Sequence, residues 1–185
     1  MGNLKGRYIG CKTDENLCSL GIEEIRKKQY PKAELVYASP MKRCLETAAL
    51  IYPKLSVETN IQLKECDFGK FENKNYQELS SVKEYQEWID SNGTLPFPNG
   101  EGVEEFRERC IKGFEECILK SFFQKEHRQI AMVVHGGTIM SILSHFAEPK
   151  GEYFKWQIGN GEFYLLHIDR EAWEQKKEIS LVQKG

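Results

Sequence analysis

The sequence predicts one α/β domain with a largely parallel sheet. Apolar, partly β-branched runs of strand length alternate with amphipathic helical stretches. Two of those runs end on polar groups at the start of a helix, as strands do where an open α/β sheet binds its ligand. The 185 residues, numbered 1–185, contain no repeat, low-complexity tract or interdomain linker, so they read as a single domain with its own core.

Element by element, Ser19–Gln29 reads as a helix with a charged outer face. Leu35–Ala38 is a short strand that runs through Ser39-Pro40 into a turn, since Pro40 has no N–H for a ladder. Met41–Tyr52 carries Cys44, Leu45, Ala48, Ala49 and Tyr52 on one helical face. A strand is expected across Val57–Leu63, followed by the irregular stretch KECDFGKFEN and helical segments across Tyr76–Asp90. Prolines and glycines make Leu95–Gly102 a rigid loop. Beyond it, Val103, Phe106, Cys110, Phe114, Cys117 and Ile118 mark a long amphipathic helix. A strand over Ile130–Val134, a helix from Gly137 to about Ala147, and strands near Phe163–Asp169 and Ile179–Gln183 complete the chain.

With 26 Lys+Arg against 28 Asp+Glu, the chain lacks the basic excess of a general nucleic-acid or membrane-surface binder. The six cysteines form no CxxC pair and show no ligand-like spacing with histidine, so a reduced, cytoplasmic protein is expected. Cys110 and Cys117, seven apart, read as a core-facing stripe. No apolar run approaches membrane-spanning length.

The chemistry concentrates where strands meet helices. Leu35–Ala38 delivers Arg43 into the first turn of the next helix, and Ile130–Val134 delivers His135 and then Gly136-Gly137. An arginine fork beside an imidazole and the free amides of a helix N-terminus is phosphate-binding chemistry. A cation at a helix N-terminus is unfavourable by itself, so Arg43 implies something negative nearby. Each residue alone has an ordinary reading as well: a packed histidine, a solvated arginine, a turn with exposed acids. Glu65 and Asp67, among apolar neighbours before Phe68-Gly69, also offer a carboxyl that burial would make a proton donor.

Together these segments resemble the histidine phosphatase superfamily, the phosphoglycerate-mutase-like group. Gly2–Gly10 is similar to the family's N-x-x-G-R-x-x-G loop, and Tyr37–Ala48 to its S-S-P-L-x-R-x-x-x-T-A segment. Lys64–Glu72 resembles E-x-x-F-G-x-W-E, and Val133–Gly137 resembles the second-histidine motif. The resemblance implies a three-layer α/β/α sandwich with a mostly parallel mixed sheet. It implies a phosphomonoester hydrolase working through a phosphohistidine on a small phosphorylated metabolite, with no cofactor and no metal; a homodimer is compatible with it. Arg43 and His135 would clamp the phosphoryl oxygens, Glu65 would protonate the leaving group and then activate water, Asn3 and the backbone at Gly10 would line the site, and Gly136 would let the helix end approach the phosphoryl group.

One family hallmark is missing. The Arg-His-Gly triplet that ends the family's first, interior strand and carries the nucleophilic histidine occurs nowhere in this sequence. His127 lies in polar KEHRQ, His145 well inside a helix and His167 in a late strand, so none replaces it. The expectation is that Met1 is an internal methionine of a longer protein whose first strand bears the triplet. Within the family, Pro98–Cys110 resembles α-ribazole phosphatases of cobalamin assembly, where N-G-E-G-x-x-x-F is familiar, and Gly102 departs from the G-G-E-S of broader phosphatases. A broad-specificity metabolite phosphatase or a phosphoglycerate mutase is the nearby alternative. A catalytically dead phospho-ligand binder is the alternative of a different class.

Overall fold

The computed structural model describes residues 5–123 and 129–185. Asn3 and His127 lie outside the described residues.

Strand β1 (Leu35–Ala38) is paired in parallel on both sides, with β2 (Val57–Thr59) and with β3 (Ile130–Val133). All four β1 residues are buried, because a central parallel strand is covered on both faces and needs no polar alternation. A second sheet has β6 (Ile179–Lys184) in the middle, parallel to β4 (Ala147–Glu148) and antiparallel to β5 (Tyr164–His167). Among the described residues β3 pairs only with β1, and β5 only with β6.

The helices are α1 (Ser19–Lys27), α2 (Lys42–Ile51), α3 (Tyr76–Leu79), α4 (Lys83–Asp90), α5 (Val103–Phe123), α6 (Gly136–Phe146) and α7 (Arg170–Lys176). α1 packs on α2, and α5 on α6. Phe114 and Ile118 of α5 meet Ile142, Leu143 and Phe146 of α6, Trp173 of α7 and Ile179 of β6 in the largest core cluster. A second, mostly aromatic cluster joins Phe71, Tyr85, Phe97 and Phe106 beneath the proline-rich loop. Cys110 and Cys117 face the core as the helical stripe predicts, and all six cysteines are free thiols.

Three expectations need correction. The strand expected over Val57–Leu63 stops at Thr59, because the Asn60 side chain accepts from the Gln62 N–H and turns Ile61–Leu63 into a 3-10 helix. The first helix ends at Lys27, since Lys28 is already extended. Helix α7 is unforeseen, although Asp169 caps it by accepting from the Ala172 N–H.

Candidate active site

The site lies where β1 and β3 end and α2 and α6 begin. β1 runs into Ser39, and the register pairing Ala38 with Val133 puts His135 beside it. The Ser39 N–H donates to the Val133 carbonyl at 3.1 Å, and the His135 and Ser39 side chains meet at 2.8 Å between Nε2 and Oγ.

On the other side of the ring, Arg43 donates from Nε to His135 Nδ1 at 3.3 Å. An arginine is always a donor, so Nδ1 is the acceptor and the proton sits on Nε2, which donates to Ser39. His135 is thereby fixed as a neutral tautomer. Burial, and then the positive charges of Arg43 and Arg109, hold its pKa down at about 3. The Cys44 thiol lies 3.5 Å from His135 Nε2 and is itself buried, which pushes it up to about 12 and keeps it uncharged.

Both arms of the Arg43 fork hold backbone: Nη1 donates to the Thr13 carbonyl at 2.9 Å and Nη2 to the Gly10 carbonyl at 3.3 Å. The negative group expected at this helix start is Asp14, whose Oδ1 accepts from the Lys42 N–H at 2.8 Å. Gly10 is used twice by the protein. Its N–H donates to Glu72 Oε1 at 2.9 Å, and a Cβ there would come within 2.2 Å of the Cys66 carbonyl oxygen. The tight packing explains a glycine, and the spent N–H means that Gly10 offers a ligand little beyond its shape.

Glu65 reaches across to the first turn of α6. Its carboxyl accepts from the Cys66 N–H at 3.0 Å and from the Gly137 N–H. Burial raises its pKa above the ordinary glutamate range, outweighing those two N–H groups and the charges of Arg43 and Arg109, all of which favour the ionised form. Gly137 is a glycine for this contact, since a Cβ would sit 2.7 Å from Glu65 Oε1 and 3.1 Å from the Phe106 ring. Gly136 faces open space, with nothing within 4 Å of an added Cβ.

Arg43, His135, Glu65, Gly10 and Gly136 thus gather around one pair of helix starts. Two neighbours escaped the sequence reading. Tyr153 donates to the Gly137 carbonyl at 3.4 Å under the Arg107 guanidinium, which lies 4.6 Å from its ring centre. Arg109 binds the backbone that carries Glu65. His145 and His167 are exposed.

The fold is a phosphoglycerate-mutase-like α/β sandwich. It superposes on the α-ribazole phosphatase of Shigella flexneri with a TM-score of 0.75 at 23% identity, covering 98% of this chain and 89% of that one. A mutant phosphoserine phosphatase from Entamoeba histolytica, in complex with phosphoserine, gives a TM-score of 0.72 at 24% identity with the same coverage. An Arabidopsis thaliana phosphoglycerate mutase-like protein 4 is 30% identical over 157 residues, 82% of this chain and 65% of that protein's length. Residues 1–178 match the model of the histidine phosphatase superfamily, branch 1, and the chain belongs to that family. No helix among the described residues is long and apolar enough to cross a membrane.

Proposed function

We propose that this protein is a phosphomonoester hydrolase acting on a small phosphorylated metabolite. The observation that carries the reading is a buried carboxyl, Glu65, bonded to the first turn of α6 within a cluster that also holds Arg43 and His135. A phosphoryl group at the open Gly136 face would meet the positive end of α6, and the Arg43 fork would exchange carbonyls for phosphoryl oxygens. Beside that dianion His135 would take up a proton, swing from Ser39 and join the clamp. Glu65 would protonate the leaving oxygen and then take the proton of the attacking water.

The nucleophile belongs to the same proposal. β3 is wholly apolar yet every residue of it is partly exposed, and Met132 of β3 packs on the same cluster as Tyr164 and Leu166 of β5. We place between those two strands the strand that carries the nucleophilic histidine in the family. Among substrates, α-ribazole 5′-phosphate is favoured by the Pro98–Cys110 segment and by the fold's likeness to an α-ribazole phosphatase, with phosphoserine next. The six free thiols favour a cytosolic setting. A second reading, a phospho-ligand binder without turnover, is favoured by the neutral, doubly bonded His135 and by the exposure of His145 and His167.

The test is hydrolysis of p-nitrophenyl phosphate, α-ribazole 5′-phosphate and phosphoserine by protein purified untagged from its own cells, with intact mass measured on the same sample. Turnover that His135→Ala abolishes, in a protein heavier than this chain by one strand, is the expected result. A matching mass with phosphate binding and no turnover would establish the binder.

A further inference from the structure

We infer that Arg109 is the positioning residue for the acid, holding the backbone of Glu65 so that its carboxyl stays docked on the first turn of α6. All five N–H donors of its guanidinium are satisfied. Nε donates to Glu101 Oε1 at 2.7 Å and Nη2 to Glu101 Oε2 at 2.8 Å, a bidentate pair. Nη1 donates to the carbonyls of Gln62 and Lys64 at 2.7 and 2.9 Å, and Nη2 to that of Glu65 itself at 3.4 Å.

The need for such a device follows from the fold. Between the 3-10 turn that ends at Leu63 and the next one, which begins at Gly69, the chain has no strand partner, so its carbonyls require hydrogen-bond donors from elsewhere. Arg109 supplies them from the rigid α5. Glu101 fixes the fork, and its own N–H donates to the Asp67 carbonyl at 2.9 Å, tying the far end of the segment as well. The Arg109 guanidinium also lies 5.1 Å from the centre of the Phe106 ring, which fills the space against Gly137. One residue of α5 therefore sets the distance from the acid-bearing segment to α6. A lysine has three donors and no planar fork, so it cannot repeat this set.

Glu65 is also faced by Arg43 from α2, by the thiols of Cys44, Cys66 and Cys110, and by the Tyr153 hydroxyl. Burial raises those three thiols and Tyr153 above their ordinary values, so they remain neutral. Arg109→Lys leaves this charge balance intact and changes only the geometry. The inference rests on Glu65 being the acid proposed above, and the test separates the two.

In the full chain with 13C-labelled glutamate carboxyls, Glu65 titrates above the ordinary glutamate range. In Arg109→Lys its titration moves back towards that range, because the carboxyl leaves its buried dock. Turnover of an alkyl phosphate, whose leaving oxygen needs a proton, falls about 10–100-fold at unchanged KM, while turnover of p-nitrophenyl phosphate falls less than about threefold. Glu101→Gln, which keeps the guanidinium but weakens its anchor, shifts both readouts the same way by less, and serves if Arg109→Lys does not fold. An unmoved Glu65 titration in a folded variant, or equal losses on both substrates, would overturn the inference. If the unaltered protein hydrolyses neither substrate, the phosphatase reading falls and the titration alone decides the role of Arg109.

Discussion

His135 shows how one side chain can be placed for one task while held for another. Its imidazole is neutral because Arg43 donates to Nδ1, Nε2 donates to Ser39, and the ring is 7% exposed. The sign of the pH effect follows. A histidine whose folded pKa is depressed to about 3 binds its proton first in the unfolded chain. Its contribution to stability is therefore complete above the unfolded value near 6.5 and is lost as the pH falls from there towards 3. His135→Gln keeps a donor near Ser39 and removes the titration. Denaturant melts from pH 7 to pH 4 should show a shallower acid decline in this variant, by up to about 1.4 kcal/mol per pH unit. An unchanged slope would mean that the ring takes up its proton as readily in the folded protein as in the unfolded chain. The sequence placed His135 and Arg43 in one site, because strand and helix starts are periodic signals. It could not show the tautomer, which depends on Ser39 at the end of β1 and Arg43 in the first turn of α2. At Asn73 the backbone has φ 57°, a left-handed conformation that asparagine accepts more readily than most residues.

At the scale of elements, the two adjacent glycines at the start of α6 separate structure from ligand. Gly137→Ala places a methyl against Glu65 and Phe106 and should cost about 1–3 kcal/mol, reduced by the better helix propensity of alanine. Gly136→Ala meets no atom within 4 Å and should leave the melting temperature unchanged or slightly higher. Phosphate or vanadate titrations give the complementary result: on the proposed reading the Gly136 variant binds the anion more weakly although it is no less stable. Equal affinity in that variant would move the phosphoryl group away from this helix end. The same scale shows what the sequence withholds. Arg109 sits mid-helix with an ordinary helical spacing, and nothing local announces that three carbonyls some 45 residues earlier are its partners. The turn at Asn60 and the cap at Asp169 are short-range side-chain signals; the first competes with the alternating apolar residues Val57, Ile61 and Leu63 that suggest a longer strand.

For the molecule as a whole, the sheet is divided into two three-stranded pieces that share one core cluster. The sequence predicted the alternation of elements, a largely parallel sheet and a site where two of its strands end; which strands pair with β1 it did not show. The division is a long-range result, set by which strand lies beside β3. A one-sided strand has half its amides pointing away from its neighbour, and apolar edges left in that state invite pairing with another chain. Hydrogen exchange should therefore separate two strands of one sheet. The β1 amides, buried and paired on both sides, should exchange only through global unfolding, whereas alternate amides of Ile130–Val133 should exchange through smaller openings. If the strand bearing the nucleophile fills the space between β3 and β5, those fast amides of β3, and the corresponding ones of Tyr164–His167, should become protected together in the protein taken from its own cells. Protection of β3 without β5 would place the added strand elsewhere, and the nucleophile with it.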